Sequence, residues 1–353
     1  MFPAAALTLA SLPAATGCVT VHGERAIVPS VSKAEAPKVL QRFTDGYTEA
    51  YRKLDPALVD RVETGALAEM GRADMVAQRA VTPGGNPGYP ALVLKDARFT
   101  IPKSTGWPKF FVADTRSNRD DNRWLVVFTR GSARQPWKAA YLSLLAEGKV
   151  PKFVLDKDGY AEAVPARSAD GKGGKNGKDS PAGMGGKSGG NDKAGDGGKG
   201  AASGGLMADP GVLSSSYTDY LRTGQGRTFA PGGATSQLRT ERGKLARTPT
   251  FWTEYIDAPE QAPDFPALAL RTEGGGALAF FTAHHRERRT MVKGVRPEVT
   301  DPRTKALLKG DLKQAVTYTR ISEAAVQVPA READGGMVFF LNRIESLTAA
   351  KGE

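Results

Sequence analysis

The sequence predicts an α+β fold built twice: two lobes, each with N-terminal helices packed on a curved antiparallel sheet, joined by a disordered Gly/Lys-rich linker. Three observations carry this expectation. In each half of the chain, segments of helical periodicity precede segments rich in β-branched and aromatic residues. Residues 171–205 hold 15 of the 41 glycines and almost no large apolar side chain, so they cannot build a core. The length of 353 residues suits two domains of roughly 100–200 residues, and 40% hydrophobic with 25% charged residues is ordinary for a globular chain. The expected organisation is a leader at 1–17, a tether at 18–31, a first lobe at 32–165, the linker at 166–207 and a second lobe at 208–353.

In the first lobe, Ser32-Lys33-Ala34-Glu35 reads as a capping box in which the serine hydroxyl and the glutamate carboxylate satisfy each other's backbone amides. Val39, Phe43, Tyr47 and Leu54, with Leu40 and Tyr51 alongside, then form one apolar helical face. Asp55-Pro56 restarts a helix as cap and first-turn proline, and Ala66 to Ala80 reads as another. Pro83-Gly84-Gly85-Asn86-Pro87 breaks the pattern. Strands are predicted at Ala91 to Ile101, Lys109 to Asp114, Arg123 to Thr129 and Trp137 to Leu145, with Ser117 to Asn122 a polar hairpin connection.

The second lobe repeats the order. Helices are expected at Pro210 to Leu221 and Ser236 to Ala246, then strands at Ala267 to Arg271 and Ala277 to Arg286 around Gly274-Gly275-Gly276. Asp301-Pro302 and Gly310 bracket a short helix, with cap, first-turn proline and terminating glycine in place. Strands resume at Lys313 to Ile321, Ala324 to Val328 and Met337 to Ile344. In both lobes this order resembles the cone-shaped, cystatin-like fold of the nuclear transport factor 2 superfamily, where helices pack into the concave side of a sheet.

Residues 1–17 carry no charge and end in small residues just before Cys18, the sole cysteine. The apolar run from Ala4 to Leu12 falls well short of the roughly 20 residues that span a bilayer as a helix, so it reads as the core of an export signal. Ala15-Thr16-Gly17-Cys18 resembles the lipobox of bacterial lipoproteins, in which the cysteine thiol receives a diacylglyceryl group before cleavage on its amino side. Ala15 stands where that family prefers Leu, and no basic residue precedes the apolar run. Cys18 is the expected lipidation site, with at least two acyl chains, since one chain alone binds a membrane only marginally. A lone cysteine excludes an intrachain disulfide framework and a Cys-rich zinc site.

Candidate chemistry is sparse. His284 and His285 are the only clustered imidazoles, and strand alternation puts them on opposite faces, where they cannot share a metal. One ring is expected to face the sheet interior and the other solvent near the strand end. His284 shares a face with Phe280 and could line a pocket. Asp114 to Asp121 lacks the sixth-position glycine and closing glutamate of a calcium loop and reads as a solvated hairpin tip, and the Asp-Gly pair of Asp156-Lys157-Asp158-Gly159 reads as a turn. No metal and no cofactor is expected. Basic residues gather at Arg239, Arg242, Lys244 and Arg247, and at Arg286, Arg288, Arg289, Lys293 and Arg296, and read as solvated faces. A net charge of +11 favours anionic envelope polymers or lipid head groups; no nucleic-acid motif accompanies it, so no nucleic acid is expected as a partner. Aromatics at Trp107, Phe110, Phe111, Trp124, Trp137 and Tyr141 fit core packing, with an apolar or glycan pocket as the alternative.

Seven segments together resemble an actinobacterial, Streptomyces-type family of membrane lipoproteins with no assigned activity. They are Gly17 to Glu24, Pro83 to Pro87, Gly106-Trp107-Pro108, Phe111 to Asp114, Arg123 to Phe128, Leu270 to Glu273 and Leu341 to Glu353. The resemblance implies export, lipidation and display at the cell surface, and carries no catalytic residues. The functional expectation is a lipid-anchored, non-catalytic binding or scaffolding protein on the outer face of the cytoplasmic membrane, with another envelope component as partner. The alternative is an envelope hydrolase or isomerase working from a cone-shaped pocket, with His284 and a carboxylate, Glu273 or Glu287, as acid and base.

Overall fold

The computed structural model describes residues 27–166, 205–333 and 335–353. The leader, Cys18 and most of the segment expected as a linker lie outside the described residues. The chain joins the fold earlier than the tether range implied: Val28–Pro29 forms a strand, β1, and Val31 is already buried.

Helix α1 (Ala36–Lys53) buries Ala36, Val39, Leu40 and Phe43, the face expected from the spacing. Only half of the capping box forms. Glu35 N donates to Ser32 Oγ at 3.0 Å, whereas the Glu35 carboxylate turns away to accept from Trp137 Nε1 at 3.0 Å, because the indole N–H is part-buried and needs an acceptor. Asp55 caps α2 (Pro56–Val62) through Ala57 N at 2.9 Å, and α3 (Gly65–Val81) follows. Gly46 lets α1 and α2 approach closely, since a Cβ there would stand 2.4 Å from Val62 Cγ1. Strands β2 (Leu94–Thr100), β3 (Pro102–Ser104), β4 (Lys109–Ser117), β5 (Arg123–Arg130), β6 (Lys138–Leu145) and β7 (Ala161–Glu162) complete the lobe. β2, β4, β5 and β6 make an antiparallel sheet in that order, and β1, β3 and β7 make a small second one.

The second lobe begins with Leu206 already buried, inside the range assigned to the linker, and bridged to Ala330. A turn at Pro210–Val212 leads into α4 (Leu213–Thr223), and a wide turn at Gly233–Gln237 into α5 (Leu238–Ala246). Then come β8 (Phe251–Pro259), β9 (Leu268–Arg271), β10 (Ala277–Met291), α6 (Pro302–Leu307), β11 (Leu308–Lys309), β12 (Ala315–Val328) and β13 (Phe339–Gly352). The sheet order is β11-β13-β12-β10-β8, with β9 also paired to β10. β8, whose one buried residue is Thr253, lacks a buried run and escapes the sequence reading. The two strands expected at 313–321 and 324–328 are one strand: the polar pair that suggested a break, Ser322-Glu323, is buried.

Each lobe thus has helices against an antiparallel sheet, and the two sheets pack on each other. On the first sheet, Phe111, Ala113, Trp124, Val126 and Phe128 face α1, while Phe110, Val112, Leu125 and Val127 face the second lobe. In β10, Ala277, Ala279, Phe281 and Ala283 pack with Leu213 and Tyr217 of α4, and Leu278 and Phe280 join the first lobe's layer. The order of layers is helix, sheet, sheet, helix. The edge strand β6 keeps two backbone donors away from its own sheet, and the second lobe satisfies them: Leu142 N donates to Glu323 Oε1 at 3.0 Å and Leu144 N to Asn342 Oδ1 at 3.2 Å. Helix α3 crosses the junction, with Met70 against Ile321 and its flank against α6 and β13.

Candidate functional site

A cleft of about 490 Å³ opens at one end of the layer between the sheets. The first lobe contributes Trp107, Pro108 and Phe110, and the second contributes Pro266 and Leu268, with Val164 between them. Phe110 and Leu268 are also members of the shared apolar layer, so the cleft floor is the exposed end of that core. Ile27 stands at the cleft, 68% exposed, beside Trp107 at 45%. Arg130 lies over the Trp107 ring at 5.5 Å from its centroid.

Glu260, on the cleft wall, leads to His284. His284 Nδ1 lies 2.7 Å from Glu260 Oε1, and Nε2 lies 3.0 Å from Glu69 Oε2 on α3. An ionised carboxylate only accepts, so a ring bonded on both sides to ionised carboxylates carries a proton on each nitrogen. The hydrogen bond to Glu69, with that to Glu260, raises the His284 pKa against the opposing effect of burial. The ring is clamped between carboxylates of both lobes, in T-shaped contact with Phe265 and with 21% of its side chain exposed. This corrects two expectations. Neither ring faces open solvent, and the carboxylates that reach His284 are Glu260 and Glu69 rather than Glu273 or Glu287. Glu287 lies three residues on, so alternation turns it to the opposite face, where it accepts from Arg289 Nε at 2.6 Å and Arg320 Nη1 at 2.9 Å. Glu273 sits exposed in the turn before β10. Glu69 and Glu260 are 215 and 24 residues from His284, and no local pattern marks either.

His285 points into the second lobe's own core, 3% exposed. Its Nδ1 lies 2.6 Å from Asp257 Oδ1 and its Nε2 lies 2.8 Å from Ser322 Oγ, an acid–imidazole–hydroxyl series across β8, β10 and β12. Arg343 Nη2 also approaches Nε2, at 3.1 Å, and can only donate. The tautomer that fits carries its proton on Nδ1, toward Asp257. Burial, reinforced by the Arg343 charge, lowers the His285 pKa despite Asp257. A guanidinium aimed at the lone pair disfavours the imidazolium that a general base must become, and Ser322 is 2% exposed. Burial raises the Asp257 carboxyl, but hydrogen bonds with His285 and with Arg242, at 2.8 and 3.1 Å, more than offset it and hold the pKa below the usual range. Arg242, expected on a solvated face, is therefore one partner of a buried ion pair, and Arg239 donates to the carbonyls of Tyr220 and Leu221.

Among the described residues there is no group of three or more His, Cys, Asp or Glu placed to hold a metal ion, and no helix long and apolar enough to cross a membrane. The fold and cleft together define a protein of two α+β lobes joined back to back, with a cleft at the joint. The chain belongs to the family described as Domain of unknown function (DUF8094), whose model matches it twice, over residues 27–203 and 198–352. The two matched ranges meet at the Gly/Lys-rich segment, so each lobe falls within one of them.

The relatives are lipoproteins. An uncharacterized lipoprotein of Streptomyces avermitilis is 42% identical over 339 residues, covering 96% of this chain and 91% of its own. Uncharacterized lipoprotein SCO2278 of Streptomyces coelicolor is 42% identical over 350 residues, covering 99% and 94%. Uncharacterized lipoprotein SCO6871 of the same organism is 26% identical over 323 residues, covering 88% and 80%. No solved structure matches the chain. All three relatives are named lipoproteins, a term for proteins anchored to a membrane through lipid.

Proposed function

We propose that this is a lipid-anchored, non-catalytic binding protein on the outer face of the cytoplasmic membrane, attached through Cys18, and that it holds another envelope component in the cleft between its lobes. The observation that carries the reading is the cleft itself: both lobes build its walls, and its volume lies in the range of roughly 300–1,000 Å³ typical of ligand sites. The state of the two imidazoles supports binding over turnover. Each nitrogen of His284 is engaged by a carboxylate, and His285 is buried with Arg343 at its lone pair. Neither offers a free base to a substrate in the cleft.

Photo-crosslinking in intact cells tests this. A photoreactive amino acid at Thr105, exposed on the cleft wall, is expected to capture an envelope component that the same group at Arg98, exposed on β2, does not. Equal yields from both positions would contradict the reading.

A further inference from the structure

We propose that the cleft between the lobes seats an acyl chain of a membrane lipid, an assignment that rests on the binding reading above and names its ligand class. The interior chemistry selects hydrocarbon. Phe110, Val164, Pro266 and Leu268 line it, and of the polar side chains on its walls Lys103, Ser104, Ser214 and Glu260 are engaged within the protein, which leaves Thr105 and Gln261. Lys103 is held by Asp156 at 2.6 Å and Asp158 at 3.2 Å. Ser104 Oγ accepts from Lys109 Nζ at 3.1 Å. Ser214 Oγ donates to Thr282 O and accepts from Glu260 N at 2.9 Å, and Glu260 Oε1 is bonded to His284. A glycan would need more free donors and acceptors than Thr105 and Gln261 supply; an alkyl chain needs only apolar surface removed from water.

Position selects the membrane as the source. Ile27 lies at the cleft and is nine residue steps from Cys18, so covalent geometry limits its distance from the lipidated sulfur to about 30 Å. That is comparable with the hydrocarbon thickness of one bilayer. At the rim Trp107 and Ile27 are exposed and the Arg130 guanidinium lies against the indole; tryptophan is enriched where membrane meets water. An apolar opening with an amphipathic rim is therefore within reach of the lipid surface.

The test uses the mature lipoprotein in vesicles of phosphatidylglycerol and phosphatidylcholine carrying a phospholipid with a diazirine in one acyl chain. After irradiation and digestion, adducts are expected on the peptides containing Phe110, Val164 and Leu268. Ala267→Trp, whose indole would fill the cleft from its partly exposed wall, should reduce them by roughly tenfold at an unchanged melting temperature. Adducts confined to residues before Ile27, or equally abundant in the variant, would overturn the proposal, as would a cleft occupied by the protein's own Cys18 acyl chains. If the lipid does not label the cleft but Thr105 captures a protein or glycan in cells, the acyl assignment falls and the binding reading stands. If neither captures anything, both fall.

Discussion

Glu63 offers the sharpest energetic prediction. It ends α2 at the junction with α3, fully buried, and its Oε2 has no hydrogen-bond partner among the described residues. Burial pushes its pKa to about 8, from an ordinary value of 4.5. A carboxyl whose folded pKa lies above its unfolded one binds more protons when folded, so stability falls as pH rises between the two values. At 1.36 kcal/mol per pH unit, the 2.5 units from pH 4.5 to 7 cost about 3 kcal/mol, and the full span to pH 8 about 5 kcal/mol. Glu63→Gln cannot ionise, so its stability relative to wild type should increase by about 3 kcal/mol between pH 4.5 and 7, and level off above pH 8. Urea unfolding followed by circular dichroism at a series of pH values measures this. Glu323, pushed well above the ordinary range by burial at the β6 edge, acts in the same direction in both proteins, with the charge of Glu63 a lesser contribution to its shift. Parallel pH profiles for variant and wild type would refute the reasoning.

Arg242→Ala leaves Asp257 buried with its charge only partly compensated, and should cost about 3–5 kcal/mol in urea unfolding; a loss below 1 kcal/mol would mean the pair is solvated after all. Gly46→Ala forces a methyl group against Val62 and should destabilise the first lobe by about 1–3 kcal/mol, read as a fall in melting temperature. Limited proteolysis should cut first within 171–205, whose composition offers no core, and the two fragments should still co-elute in gel filtration because the sheets share one apolar layer. Separation of the nicked fragments under native conditions would argue against that layer.

The local parts of this fold are legible in the sequence. Helical spacing marks the buried face of α1, Asp55-Pro56 and Asp301-Pro302 cap the helices they were expected to cap, and alternation separates His284 from His285. The joint between the lobes is not written locally. The continuous burial of β4 and β5 hints at it, because a strand buried on both faces needs a cover on each, yet a long apolar run does not say what the second cover is. Polar residues mislead for the same reason. Ser322 and Glu323 read as a break in a strand, but they sit in its middle, one bonded to His285 and the other capping the edge of the opposite lobe's sheet. Arg242 reads as a surface charge until Asp257, fifteen residues away, supplies its partner. The clamp on His284 depends on Glu69, which only the packing of α3 across the joint brings within reach.

The central claim is that a lipid on Cys18 holds this two-lobed protein, and with it the cleft, at the membrane. The most direct measurement is the intact mass of the native protein, taken beside the membrane partition of a Cys18→Ala variant. The expected native species is a chain that starts at Cys18 with a diacylglyceryl group on its sulfur, and the variant should leave the membrane fraction. A free thiol at position 18 with Met1 still attached, and a variant that stays in the membrane fraction, would contradict it.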